Sequence, residues 1–370
     1  MRYLRKPGFL AALAVTLFSI SLPLTAWETK QIQGRDHIRV AEIASFYGLS
    51  NETAPDANTR KFTGSQRELV VLKNSRVAFV NGICHWLAFP VAEESGQLHL
   101  SRLDLGKTIE PAFRPSLIQG LSPVTTVVID AGHGGHDNGA TSPYEYEKNF
   151  ALDVARRVRD ELKKAGVRVV MTRNSDTFVE LPDRAAVANR LPNSIFVSIH
   201  FNAADANSAA TGFEMYCVTP RGAPSTAYER LTVRDMVAEN GNESDIESFA
   251  LANAVYHSMH GKLNMFDRGL KRSRFAVLRH CTRPAILIEG GFLTNSDDAR
   301  KVASKQWREQ YAASIARGIL EYRKLATAGT APRQVADYRG ATPSGTAVAA
   351  APSPTPSLSL RDPGTRSAQN

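Results

Sequence analysis

Cysteine is scarce in this chain of 370 residues, which contains only Cys84, Cys217 and Cys281. Their number is odd and their spacing is wide, which excludes both a dense disulfide framework and a C-x-x-C metal knuckle. We expect buried free thiols, with at most one pair forming a disulfide. The 43% hydrophobic composition over this length instead allows one sizeable core and a smaller second domain.

Long hydrophobic runs are also scarce. The run near the N-terminus, residues 9–22, follows basic residues and precedes a small-residue site that ends at Ala26. At about 14 residues it is shorter than the roughly 20 that span a bilayer. The pattern is typical of a secretory signal peptide over residues 1–26, and an uncleaved anchor is the alternative. We therefore predict an exported protein with no stable membrane span after cleavage.

The charge of the chain is unbalanced, with a net charge of +9 and 22% charged residues. No basic block is interleaved with aromatic residues, so we expect no nucleic-acid partner. For an exported chain the natural anionic partner is the cell envelope, although the charge could serve solubility alone.

The composition divides the chain into segments. Residues 27–115 contain short runs of β-type residues separated by Asn-Ser and Asn-Gly turns, together with one helical stretch at 38–48. This pattern predicts a small α+β domain, and it loosely resembles the amine-oxidase N-terminal domain. Residues 327–370 are rich in Ala, Pro, Ser and Thr, which predicts a disordered tail.

Residues 123–325 alternate apolar strands with helices, which predicts a largely parallel sheet covered by helices on both faces. In such sheets, ligands bind at the carboxyl ends of the strands. The predicted strands are 124–130, 167–172, 194–200, 212–218, 275–278 and 285–289, and the predicted helices are 148–165, 184–190, 247–263 and 297–325. A polar insertion at 220–248 interrupts this rhythm and is either a surface loop or a lid.

Two histidines end predicted strands of this sheet. His133 follows an apolar strand in the glycine-rich turn Ala-Gly-His-Gly-Gly, and His200 ends the apolar run at 194–200. Glu147 opens the next helix, from which its carboxylate can reach the same sheet edge. Zinc accepts such a mixed set of ligands and leaves a fourth position for water. The glycine turn could instead bind a phosphate, but it lacks the G-K-[ST] ending and the G-x-G-x-x-G spacing.

Glu289 ends another buried strand, immediately before Gly290 and Gly291. A buried unpaired carboxylate costs several kcal/mol, so its position needs a reason. General acid–base catalysis beside a metal-activated water would supply one. The alternative is a salt bridge to a nearby arginine.

These motifs resemble, in order and spacing, the zinc N-acetylmuramoyl-L-alanine amidases of the amidase type 3 family. The resemblance covers residues 124–322. It implies a six-stranded sheet flanked by helices, one Zn²⁺ per chain held by His133, Glu147 and His200, and Glu289 as the catalytic acid. Glu145 could compete with Glu147, but only Glu147 is followed by the Lys-Asn pair. His136 is interpreted as a substrate-side or solvent residue.

The resemblance also implies a function. The expected reaction is hydrolysis of the amide bond between N-acetylmuramic acid and L-alanine in peptidoglycan, for cell-wall remodelling or daughter-cell separation. We expect a monomer in the periplasm or cell envelope, or secreted, with a possible activator protein if the insertion blocks the metal. The alternatives are a zinc peptidase of the peptide stem and a non-catalytic wall-binding or activator protein.

Overall fold

The computed structural model describes residues 27–118, 121–205 and 209–328. The predicted signal peptide lies outside the described residues, as does the predicted tail from residue 329 onward. No helix in the described parts of the chain is long and apolar enough to cross a membrane.

The N-terminal part consists of short antiparallel strands with a few short helices. Its strands are β1 (Lys30–Ile32), β2 (Arg35–Arg39), β3 (Asn51–Thr53), β4 (Thr59–Thr63), β5 (Glu68–Leu72), β6 (Val77–Val80), β7 (Ile83–Trp86), β8 (Ala92–Glu94) and β9 (Gln97–Ser101). Its helices are α1 (Val40–Phe46), α2 (Arg102–Asp104) and α3 (Glu110–Phe113). Strands β1, β2, β9 and β8 form a small sheet, whereas β3 to β7 join a larger one.

The C-terminal part supplies the remaining strands of the larger sheet. They are β10 (Thr126–Ala131), β11 (Arg168–Met171), β12 (Ser194–Asn202), β13 (Phe213–Val218), β14 (Asp267–Ser273) and β15 (Ala285–Phe292). Their order is β11-β10-β12-β15-β13-β14. Strands β11, β10, β12 and β15 run parallel, and β13 is antiparallel to β15. Every residue of β10, β12 and β15 is buried, as expected for strands covered on both faces.

Helices cover both faces of this part of the sheet. They are α4 (Glu147–Lys164), α5 (Leu181–Asn189), α6 (Asp245–Met259), α7 (Ala276–Arg279), α8 (Ser296–Ala303) and α9 (Lys305–Ala328). Helices α4, α6 and α9 pack over the main core, and α5 and α7 pack on the opposite face. The predicted α/β class with helices on both faces is confirmed.

One strand of the prediction is wrong. Residues 275–278 are not a strand, because Val277 and Leu278 belong to α7 and pack under the sheet. The strand in that position is β14, whose polar sequence concealed it. The C-terminal part contributes six strands, as the resemblance implied, but Leu270 of β14 pairs with His85 of β7. The sheet therefore continues into the N-terminal part and has eleven strands among the described residues.

The three cysteines are buried and free, as predicted. Burial raises the pKa of the Cys217 thiol above its ordinary value, so this thiol stays protonated at neutral pH.

Candidate metal centre

The predicted site residues meet at one edge of the sheet. Ala131, at the end of β10, pairs with Ile199 of β12. His133 and His200 come just after these two residues, so they lie at neighbouring strand ends. His200 in turn pairs with Glu289 of β15. The carboxyl ends of three parallel strands thus bring the two histidines and the acid together.

Glu147 joins the two histidines at the N-terminus of α4. One carboxylate oxygen, Oε1, lies 2.9 Å from His133 Nε2 and 2.9 Å from His200 Nδ1. One ligand atom from each of these three residues lies within 4.8 Å of the others. Two imidazole nitrogens and a carboxylate oxygen at this spacing fit a metal ion with further positions left open.

The alternative acid, Glu145, lies outside this group. It is exposed and its carboxylate accepts a hydrogen bond from the backbone of Tyr146. His136 is also exposed, with its ring centroid 4.3 Å from that of Phe178. The structure therefore places Glu147 in the centre and leaves the other two residues at its margin.

A second carboxylate, which sequence reasoning missed, orients His133. Asp137 Oδ2 lies 2.7 Å from His133 Nδ1, and Asp137 Oδ1 accepts from the backbone N–H of Gly139. With Nδ1 engaged in this way, Nε2 is turned toward Glu147 and is available for a metal. An acid four residues after a histidine in a glycine turn was the only sequence signal for this contact.

The charges of the centre suit a cation. Burial acts to lower the pKa of His133, but the hydrogen bonds and charges of Glu147 and Asp137 outweigh it and raise the pKa to about 9. Burial acts to raise the pKa of Glu147, yet its hydrogen bonds to the two histidines hold it well below the usual range. An ionised carboxylate in a buried position indicates a place where positive charge is stabilised.

Two buried arginines fix the backbone that carries His133. Arg184 donates to the carbonyl oxygens of Ala131 and His133, each at 2.8 Å. Arg173 donates to the carbonyls of Ala131 and Gly132 at 2.9 and 2.6 Å. His133 itself adopts a left-handed backbone conformation with φ of +59°. This unfavourable conformation persists because the surrounding hydrogen bonds determine it.

Glycine is required at two positions against the ligands. A Cβ atom on Gly132 would lie 2.3 Å from His200 Cε1, and one on Gly139 would lie 2.5 Å from Glu147 Oε2. Any larger residue would displace a ligand side chain.

Glu289 is the buried acid beside the centre, with 2% of its surface exposed. Burial raises its pKa well above the ordinary value, and the charges of Glu147 and Glu214 add to the effect. Its Oε2 atom forms no hydrogen bond within the described residues. A carboxyl group in this state can hold a proton at neutral pH.

The insertion at 220–248 lies away from the ligands. Strand β13 pairs Glu214 with Glu289 at the metal edge and Cys217 with Ile286 further from it, so the chain leaves the sheet at the opposite end. Arg76 of the N-terminal part donates to the carbonyl of Tyr228 at 2.7 Å. Of the two alternatives, a surface loop and a lid, this position favours the surface loop, because the segment does not cover the metal centre.

Comparison with known proteins gives a consistent result. The family model Amidase_3, N-acetylmuramoyl-L-alanine amidase, matches residues 127–321. The chain is 36% identical over 197 residues to the uncharacterized protein YqiI of Bacillus subtilis, covering 53% of this chain and 84% of that protein. It is 31% identical over 245 residues to the N-acetylmuramoyl-L-alanine amidase AmiC of Escherichia coli O6:H1, covering 59% of this chain and 58% of AmiC.

Among solved structures, the catalytic domain of the amidase CwlV from Bacillus (Paenibacillus) polymyxa is 34% identical. The match covers 55% of this chain and 99% of that domain, with a TM-score of 0.46. The chain thus spans a little over half the length of AmiC and nearly all of an isolated catalytic domain.

Proposed function

Because the chain belongs to the N-acetylmuramoyl-L-alanine amidase family described as Amidase_3, we propose that it is a zinc hydrolase of peptidoglycan. Its reaction would be cleavage of the amide bond between N-acetylmuramic acid and L-alanine. The observation that carries this proposal is the group of His133, Glu147 and His200, with Glu289 paired beside it on the next strand.

The three ligand residues would hold one Zn²⁺ through two imidazole nitrogens and one carboxylate oxygen. When bound, the ion would polarise the lactyl carbonyl and lower the pKa of the attacking water. Asp137 would keep His133 in the orientation that presents Nε2.

Glu289 would move the proton. A bound cation would offset the charge of Glu147 and favour the ionised form of Glu289. That carboxylate would take a proton from the attacking water and then, as the acid, deliver it to the nitrogen of the departing L-alanine. The water oxygen bonds to the carbonyl carbon of the lactyl group, and the C–N bond breaks. The products are a lactyl carboxylic acid and a peptide with a free amine. Burial suits this role, since it keeps the proton from exchanging with bulk water.

The test separates metal binding from proton transfer. Glu289→Gln should keep about one zinc per chain and lose activity on purified murein by about 10²-fold to 10⁴-fold, since it cannot transfer a proton. His133→Ala should instead lose the metal. Zinc content by mass spectrometry and release of soluble stem peptide are the measurements. An active Glu289→Gln chain, or tight zinc binding by His133→Ala, would contradict the assigned roles.

We extend the proposal to location and role. Export would bring the chain to its substrate in the periplasm or cell envelope, where it would act in wall remodelling or daughter-cell separation. Whether an activator protein takes part is tested by the same assay, since an enzyme that needs none releases stem peptide from murein alone.

A further inference from the structure

A buried acceptor without a donor lies beside the metal centre. Asn202 follows His200 by two residues at the end of β12, and 1% of its surface is exposed. Its Nδ2 donates to Glu214 Oε1 at 2.8 Å. Its Oδ1 makes no hydrogen bond within the parts of the chain that the structure describes. Leaving such a group unsatisfied in the interior is unfavourable, so its presence beside the centre points to a partner that the protein binds.

The chemistry of Glu214 fixes which way the Asn202 amide points. Glu214 is fully buried, and Lys271 Nζ and Arg268 Nε each lie 2.7 Å from its Oε2. Burial acts to raise the pKa of Glu214, but the charges of Lys271 and Arg268 outweigh it and lower the pKa to about 2. An ionised carboxylate can only accept hydrogen bonds, so the NH₂ group of Asn202 must face it and Oδ1 must face away.

The contact between Asn202 and Glu214 crosses the end of the strand that carries the proposed acid. Strand β15 lies between β12 and β13 in the sheet. Asn202 comes from one flanking strand and Glu214 from the other, and Glu289 of β15 has His200 and Glu214 as its partners in register. Asn202 itself pairs with Phe292, three residues beyond Glu289, so the free acceptor belongs to the same group of strand ends as the proposed acid.

We propose that Asn202 is a substrate-binding residue whose Oδ1 accepts a hydrogen bond from the N–H of the amide bond that is cleaved. Glu214 is then a positioning residue, which acts by holding the Asn202 amide in one orientation. This inference rests on the proposed function, which brings that N–H beside Glu289. The scissile amide offers one donor, its N–H, because its carbonyl oxygen can only accept. The contact selects secondary amides over esters of the same shape.

The test compares two substrates that differ in this one donor. The first is a muropeptide, and the second is its depsipeptide analogue, in which L-lactate replaces L-alanine and an ester oxygen replaces the N–H. With the full zinc-loaded chain, Asn202→Ala should lower kcat/KM on the amide by about 10-fold to 100-fold. On the ester, which has no N–H to lose, the change should stay within about twofold.

Asn242→Ala is a matched control, because it removes an amide side chain far from the centre. Asn242 Nδ2 donates to the carbonyl of Thr219 at 2.9 Å, beyond the opposite end of β13. This variant should leave the ratio of kcat/KM on the amide to kcat/KM on the ester unchanged. If Asn202→Ala does not fold, Asn202→Leu has nearly the shape of asparagine and removes the same acceptor.

Binding gives a readout that does not depend on turnover. In a Glu289→Gln background, Asn202→Ala should weaken binding of the muropeptide about tenfold and leave binding of the ester analogue unchanged. Equal losses on both substrates with zinc retained would overturn the inference, as would an unchanged amide rate. If the wild-type chain cleaves neither substrate, the proposed amidase function itself is contradicted.

Discussion

Glu147 is the residue around which the metal centre is arranged. Its Oε1 atom contacts both histidines and accepts from the backbone N–H of Phe201 at 3.0 Å, and its Oε2 accepts from the N–H of Ala140 at 2.8 Å. These contacts hold the carboxylate ionised although it is 3% exposed. The position and charge of one side chain therefore define where a cation would be stabilised.

Asp137 should matter for metal affinity although it is not a proposed ligand. Asp137→Asn replaces the charged partner of His133 Nδ1 with a neutral one, so we expect zinc to bind about 10-fold to 100-fold more weakly. Competition with a chromophoric chelator measures the affinity.

Asp176→Asn is the matched control for this change. Asp176 accepts from the N–H of Gly135 and from Lys148 Nζ in the same turn, but its hydrogen bonds do not involve His133. Equal effects of the two substitutions would show that Asp137 acts only by stabilising the turn.

At the scale of elements, the turn between β10 and α4 determines whether the ligands can meet. It carries His133 and Asp137, and its glycines leave the space that the ligand side chains fill. The buried guanidinium groups of Arg173 and Arg184 replace the regular backbone hydrogen bonds that the turn lacks.

Gly132→Ala should disturb this turn without unfolding the chain. The new Cβ would lie 2.3 Å from His200 Cε1, so the imidazole must move, and we expect zinc affinity to fall by at least about tenfold. Gly106→Ala is the control, since no atom lies within 4 Å of a Cβ there. Retention of wild-type zinc affinity by Gly132→Ala, measured beside circular dichroism, would contradict the geometry of the turn.

The sequence was sufficient to predict residues that end apolar strands. His133, His200 and Glu289 were identified because the carboxyl ends of parallel strands converge, and the family resemblance added the choice of Glu147 over Glu145. Asn202 and Glu214 were not identified, because the sequence does not show that their side chains form a hydrogen bond across β15.

Strand β14 shows why one element was misplaced. Its sequence Asp-Arg-Gly-Leu-Lys-Arg-Ser has no run of apolar residues, yet Lys271 is buried because Glu214 neutralises it. The apolar residues that follow, at 275–278, were therefore interpreted as the strand. The ion pair between Lys271 and Glu214 allows a polar sequence to form a buried strand, which hydrophobic periodicity alone does not predict.

At the scale of the whole molecule, the N-terminal part shares its sheet with the C-terminal part. Beside the pairing of Leu270 with His85, Trp86 Nε1 donates to the carbonyl of Arg268 at 2.9 Å. We propose that residues 27–115 and 123–325 are two modules that depend on each other along this seam. The seam also lies next to Arg268, which contacts Glu214 of the site.

His85 at this seam should make stability depend on pH. It is 1% exposed, neither ring nitrogen has a hydrogen bond within the described residues, and burial lowers its pKa to about 3. Between pH 6.5 and 3 the unfolded chain binds a proton that the folded chain does not, so stability falls as the pH falls. At pH 5 this one group should cost about 2 kcal/mol relative to pH 7.

His85→Phe keeps an aromatic ring against Phe249 and removes the titrating group. The free energy of unfolding is measured in urea at pH 7 and at pH 5 for both chains. Its decrease from pH 7 to pH 5 should be about 2 kcal/mol smaller for this variant than for the wild type. Equal losses in the two chains would show that His85 is protonated in the folded state or reached by water.

The central claim, a zinc-dependent cut at the bond between N-acetylmuramic acid and L-alanine, is tested most directly by mass spectrometry of digested murein. Purified sacculi are incubated with the full chain, with zinc or after treatment with a chelator. We predict intact stem peptides with a free N-terminal L-alanine, together with glycan strands that have lost their peptides, only in the sample with zinc. Fragments cut within the stem, or the same products after complete removal of the metal, would contradict the account.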